Sequence, residues 1–186
     1  MNKKSLIRII SVVLMLNMLS FSTTATTDNQ LYAGNQLKIL GLMKGYNNGE
    51  LKLDNEITRA EVAALLVRTL GYSHKDVLGE GKYFSDVKAD YWAMDVIQKA
   101  YKLKLIVGDP GGTFRPADKI SYGEVLTIMV NALGKNNNLV GNWPISYINR
   151  AKELGIIPKD TNENPSRKVT RGEVAEMLWN TILVKR

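Results

Sequence analysis

GYNNGELKLDNEITRAEVAALLVRTLG, residues 45–71, returns 63 positions later as GDPGGTFRPADKISYGEVLTIMVNALG, residues 108–134. The two align without a gap. Gly45 meets Gly108, Gly49 meets Gly112, Leu51 meets Phe114, Ile57 meets Ile120, Glu61 meets Glu124 and Gly71 meets Gly134. Internal repetition at this period signals an architecture of stacked, mutually dependent units. A third, shorter copy follows: NWPISYINRAKELGII (142–157) matches YWAMDVIQKAYKLKLI (91–106), and VTRGEVAEMLWNTIL (169–183) matches the segment from Ile120. Its connecting stretch, PKDTNENPSRK, is two residues shorter and lacks the Gly-x-x-x-Gly turn. The first copy starts with a leading segment near residues 30–43 that has no tryptophan.

Each unit reads as helix, glycine-rich loop, helix. Val62, Leu65, Leu66 and Leu70 recur as Val125, Ile128, Met129 and Leu133, and as Val174, Met177, Leu178 and Ile182. Spacings of three and four place them on one helix face. One such hairpin cannot bury its own apolar stripe, whereas three together share a core. The expected fold is therefore all-α. The boundaries are a segment 1–25 removed on export and repeats at 26–72, 84–134 and 140–184, joined by the polar linkers 73–83 and 135–141.

The start of each second helix carries a capping box: Thr58 with Glu61, Ser121 with Glu124, Thr170 with Glu173. The hydroxyl accepts an orphan backbone N–H and the glutamate reaches back to the cap. Inside two of these boxes stands an arginine, Arg59 and Arg171, at the first helical position. The helix dipole disfavours a cation there, so the box does not explain it. Free N–H groups beside a guanidinium fork would form a pocket for a carboxylate or phosphate.

The chain has 186 residues, no cysteine and a formal charge of +7. Residues 1–25 show a basic start, a short apolar stretch and small residues, the pattern of a secretory signal peptide. The rest of the chain, with 22 basic and 18 acidic residues, is mildly basic and lacks a second apolar run of membrane-spanning length. An exported chain without cysteine relies on its core rather than on disulfides. This balance suits an anionic polymer and does not call for nucleic acid.

The string FSDV…YWA…I-x-x-A…GDPGGTFRPADKIS-x-x-E, with ITRAE and VTRGE, resembles the S-layer homology (SLH) repeat over residues 30–184. The resemblance implies a three-pronged spindle of pseudo-threefold symmetry with grooves between the prongs. It also implies non-covalent binding of a secondary cell wall polymer, often through a pyruvylated sugar, at the bacterial cell surface. On that footing Arg59 and Arg171 contact the negatively charged ketal. Tyr122 replaces the arginine in the second copy and implies a groove that works by stacking and hydrogen bonding. One or two working grooves are expected rather than three. Gly45 and Gly108 permit the helix exit and let ligand approach the backbone. Trp92 and Trp143 read first as core anchors and second as sugar-stacking platforms. Asp86 reads as a cap of a helix or turn, and His74 stands alone in a linker.

No cofactor or metal is expected. The string from Asp160 fails the calcium-loop pattern, with Pro165 in place of glycine and Arg171 in place of glutamate. No nucleophile elbow or metal-spaced histidine set is present, so an enzyme is not expected. The alternative to wall binding is an adaptor joining other surface proteins without direct glycan contact.

Overall fold

The computed structural model describes residues 26–72 and 84–185. The segment 1–25, read above as a signal peptide, and the linker 73–83, with His74, lie outside the described residues. The described chain is all-helical: α1 (Asp28–Ile39), α2 (Arg59–Thr69), α3 (Met94–Lys102), α4 (Tyr122–Ala132), α5 (Ile145–Glu153) and α6 (Arg171–Leu183). Capping boxes start α1, α2, α4 and α6; the box on α1 is formed by Thr27 and Gln30. The nine-residue helices α3 and α5 have no side-chain cap. Helices this short are marginal alone and depend on tertiary packing.

The helices of one sequence unit do not pair with each other. α2 packs against α3, α4 against α5, and α1 against α6. Each prong thus combines the second helix of one repeat with the first helix of the next, and the first helix of repeat 1 completes the prong of repeat 3. Two things dictate this. The loop inside each unit is committed to the centre of the molecule, while linker 135–141 is short enough to fold α5 back on α4 as an antiparallel hairpin.

At that centre the three loops form a closed cycle. Ile57 N–H donates to the Val169 carbonyl (3.2 Å), Val169 N–H to Ile120 (3.3 Å), and Ile120 N–H to Ile57 (3.2 Å). Antiparallel bridges Glu56–Thr170, Thr58–Lys119 and Ser121–Lys168 flank it. The cycle requires these residues to be apolar and equivalent, and all three are fully buried. Around them Leu37, Leu66, Ile97, Phe114, Leu126, Met129 and Leu178 fill one continuous core.

Ile120→Ala should destabilise the fold by about 2–5 kcal/mol, because a central cavity cannot collapse against three fixed loops. Urea unfolding should show a lower midpoint at an unchanged slope.

Candidate functional site

The first-turn N–H groups of α2, α4 and α6 are not free. Arg59 N–H donates to Asp118 O (3.0 Å) and Ala60 N–H to Pro116 O (3.1 Å). Tyr122 and Gly123 do the same to Arg167 and Pro165 (both 2.9 Å), and Arg171 and Gly172 to Asn55 and Leu53 (both 2.8 Å). Each helix start is therefore sealed by the loop of the next repeat in the cycle, which removes the anion pocket expected from orphan N–H groups. The second helical position must stay small for this. A Cβ on Gly172 would lie 2.9 Å from the Gln30 amide oxygen and 3.2 Å from Leu53 O.

Arg59 and Arg171 have a structural task that the sequence did not disclose. Both are buried, 4% and 6% exposed. Arg59 donates from Nε to Phe114 O (2.9 Å), from Nη1 to Glu124 Oε1 (2.8 Å) and from Nη2 to Val107 O (3.4 Å). Arg171 repeats this set on Leu51 O (2.8 Å), Glu61 Oε1 (3.0 Å) and Lys44 O (3.0 Å). Two carbonyls and a carboxylate outweigh the unfavourable dipole, so the guanidinium is held where a cation at a helix start would otherwise be disfavoured.

The capping glutamates complete the link. Glu61 and Glu124 take their own cap N–H on Oε2 (2.8 Å each) and present Oε1 to the arginine of the adjoining repeat. At the third interface Tyr122 is buried and cannot supply a fork. Arg167, from the loop ahead of α6, stacks over its ring (4.7 Å to the centroid) and binds Glu173 Oε1 at 2.7 Å. The charge lost at position 122 is replaced from 45 residues downstream. Burial, offset in part by Arg167 and reinforced by Glu163 and Glu173, pushes the Tyr122 hydroxyl up to about 12.

Trp92 and Trp143 are not core anchors. They are 56% and 58% exposed. Each stands just ahead of a leading helix, on the rim of a cleft beside one buried arginine. Trp143, whose indole N–H donates to Thr127 Oγ1 (3.0 Å), flanks a cavity of about 260 Å³ lined by Arg59, Arg115, Glu124 and Asn131. Trp92 flanks one of about 160 Å³ lined by Arg171, Lys44, Glu61 and Arg68. The third cleft, about 220 Å³, holds Tyr122, Arg167, Glu163, Glu173 and Glu176, with Gln30 of α1 and no tryptophan in its lining. A larger cavity of about 660 Å³ lies between α1, α6 and the end of α5, where Lys152 and Lys159 balance Glu153 and Glu176. Its charges cancel and it touches none of the arginines at the helix starts.

Gly45 and Gly108 are closed in by their own loops. A Cβ on Gly45 would sit 2.6 Å from Gly49 O, and one on Gly108 2.6 Å from Thr113 O and 2.2 Å from the Phe84 ring. Asp86 braces the second loop, accepting the N–H groups of Phe114 (2.8 Å) and Arg115 (2.7 Å). Sequence reading passed over Arg68, Arg115 and Arg167, whose positions carry no arginine in the matching copies and which enter the clefts only through folding. No group of histidine, cysteine or carboxylates suited to a metal occurs among the described residues.

The S-layer homology domain profile matches residues 37–63, 83–126 and 140–175, and the chain belongs to that family. It is 37% identical over 150 residues to the middle cell wall protein of Brevibacillus brevis, covering 80% of this chain and 14% of that protein. It is 34% identical over 151 residues to the surface layer protein of Brevibacillus choshinensis, covering 81% and 13%. The cellulosome-anchoring protein of Acetivibrio thermocellus is 28% identical over 152 residues, covering 73% and 34%. The chain thus spans a small part of the length of these curated relatives.

Burial pushes the Glu124 carboxyl up, but the Ser121 N–H and hydroxyl and the guanidinia of Arg59 and Arg115 outweigh it and hold it below the usual carboxylate value. A depressed folded-state pKa contributes stability above the unfolded value, lost as pH falls through the folded one. The protein should therefore lose stability as pH falls below about 4. Glu124→Gln should cost about 1–3 kcal/mol at neutral pH and converge with the parent in acid, read from urea midpoints across pH.

Proposed function

We propose that this protein attaches non-covalently to the bacterial cell envelope by binding an anionic secondary cell wall polymer in the clefts between its prongs. The observation that carries this reading is the placement, in two clefts, of a solvent-facing tryptophan beside a buried guanidinium. Exposed aromatic faces with a polar handle are suited to flat, amphipathic partners such as sugar rings. The guanidinia of Arg59 and Arg171, and the cations around them, supply the field that draws an acidic substituent. A pyruvate ketal, the substituent that family resemblance implies, has the size and charge for such a cleft.

S-layer homology membership and the cell-wall and surface-layer relatives support a location at the cell surface. No helix among the described residues is long and apolar enough to cross a membrane. The third cleft, without tryptophan and rich in carboxylates, is assigned no acidic ligand. That agrees with one or two working grooves.

Trp92 and Trp143 allow a clean test because they are exposed, whereas replacing either buried arginine would remove part of the fold. Trp92→Ala should weaken sedimentation with purified wall sacculi roughly tenfold, as loss of an aromatic anchor does, and Trp143→Ala should weaken it less. Stability should change by about 1 kcal/mol or less. Sacculi stripped of their acidic ketals by mild acid should no longer retain the protein. Undiminished retention on stripped sacculi would point instead to a neutral glycan or a protein partner.

A further inference from the structure

The three clefts share a backbone plan but not a charge. Among the described residues, the Trp143 cleft sets Arg59 and Arg115 against Asp109 and Glu124. The third sets Arg167 against Glu163, Glu173 and Glu176. The Trp92 cleft sets Lys44, Arg68 and Arg171 against Glu61 alone.

Within that last cleft the cations are not alike. Arg171 is committed on all three nitrogens, with Glu61 as its counter-ion. Among the described residues Arg68, in the final turn of α2, donates one long side-chain hydrogen bond, to Leu42 O at 3.4 Å. It forms no salt bridge among the described residues, and neither does Lys44. Burial works against the Arg68 charge, and no neighbouring carboxylate opposes that effect. By contrast Arg115, the second cation of the Trp143 cleft, already holds Asp109 (2.5 Å), Asp118 (3.2 Å) and Glu124 (3.4 Å).

The repeat itself shows what Arg68 replaces. The offset of 63 places Asn131 at the equivalent position, and the offset from Arg59 to Arg171 places Asn180 there in the third copy. Asn180 donates to Ile156 O at 3.1 Å, the counterpart of Leu42 O. An uncharged amide therefore satisfies the structural bond, and an arginine is not needed for it. The Asn131 side-chain oxygen is buried without a hydrogen-bond partner on the wall of the Trp143 cleft.

We propose that Arg68 is the specificity-determining cation of this protein: it makes the Trp92 cleft the high-affinity site for one acidic group, a carboxylate or phosphate borne on the wall glycan. The inference rests on the wall-binding reading and narrows it to one cleft. The cavity, about 160 Å³, is below the roughly 300 Å³ at which typical small-molecule clefts begin. It admits one small charged substituent, received between Arg68 and Lys44 with Arg171 behind them. The rest of the glycan lies outside, against Trp92. A guanidinium with unused donors is suited to this, since it meets a carboxylate or phosphate bidentately.

Calorimetric titration of the full chain with a pyruvylated hexosamine methyl glycoside, its neutral methyl ester and inorganic phosphate tests this. The acid form should occupy one tight site, and the ester should bind far more weakly. Phosphate competition distinguishes the two sources of charge: strong displacement identifies a phosphate-bearing polymer and weak displacement a carboxylate. Arg68→Gln keeps a donor for Leu42 O and should weaken the tight site roughly 10- to 100-fold with an unchanged unfolding midpoint. Arg68→Lys, which keeps the charge without the fork, should bind with an affinity between those of the parent and Arg68→Gln. Asn131→Arg should raise the number of tight sites from one to two. Wild-type affinity in Arg68→Gln, or equal occupancy of two sites in the parent, would overturn the assignment of Arg68 and leave wall binding standing. Failure of the parent to sediment with intact sacculi would instead remove the wall-binding reading on which it rests.

Discussion

A glutamate carboxylate has two oxygens, and this fold depends on using them for different things. One oxygen of Glu61 and of Glu124 closes a capping box on its own helix, while the other receives a guanidinium from the adjoining repeat. The start of one helix is thereby tied to the identity of its neighbour. Breaking a buried pair of this kind strands the remaining charge and is strongly destabilising, typically by about 3–5 kcal/mol. Because ion pairs run from repeat 1 to 2 and from 3 back to 1, and Arg167 of repeat 3 stacks on Tyr122 of repeat 2 at the remaining interface, the three units hold one another closed.

The same links shape the clefts. An arginine held by two carbonyls and a carboxylate forms a rigid wall, and the tryptophan opposite it is brought in by the first helix of another repeat. Rigid scaffolds of this kind place binding groups without ordering cost at the moment of contact. The exchange of helices between units is the reason a cleft exists at all: Trp92 belongs to repeat 2, Arg68 to repeat 1 and Arg171 to repeat 3, and only the closed cycle brings them together.

Pseudo-symmetry sets the plan and its violations set the function. Where Tyr122 replaced an arginine, the fold recovered the interface with Arg167, yet the cleft there became acidic through Glu163, Glu173 and Glu176. Where Arg68 replaced an asparagine, nothing in the fold required it, and the cleft became the most positive of the three. A substitution that adds charge without a structural debt is the kind that binding explains.

Sequence alone determined the repeat, the helical class, the helix starts and the apolar stripes. These follow from local rules, periodicity and capping, that act within a few residues and so can be read in order along the chain. Tertiary structure decided the rest. Arg59 and Arg171 looked idle because their partners lie 48 to 127 residues away. Trp92 and Trp143 looked like core because aromatic residues usually are, and only the packing of α2 on α3 and α4 on α5 leaves them facing solvent. Which charges share a cleft depends on how the cycle closes, and closure is a property of three loops meeting at one point rather than of any one of them.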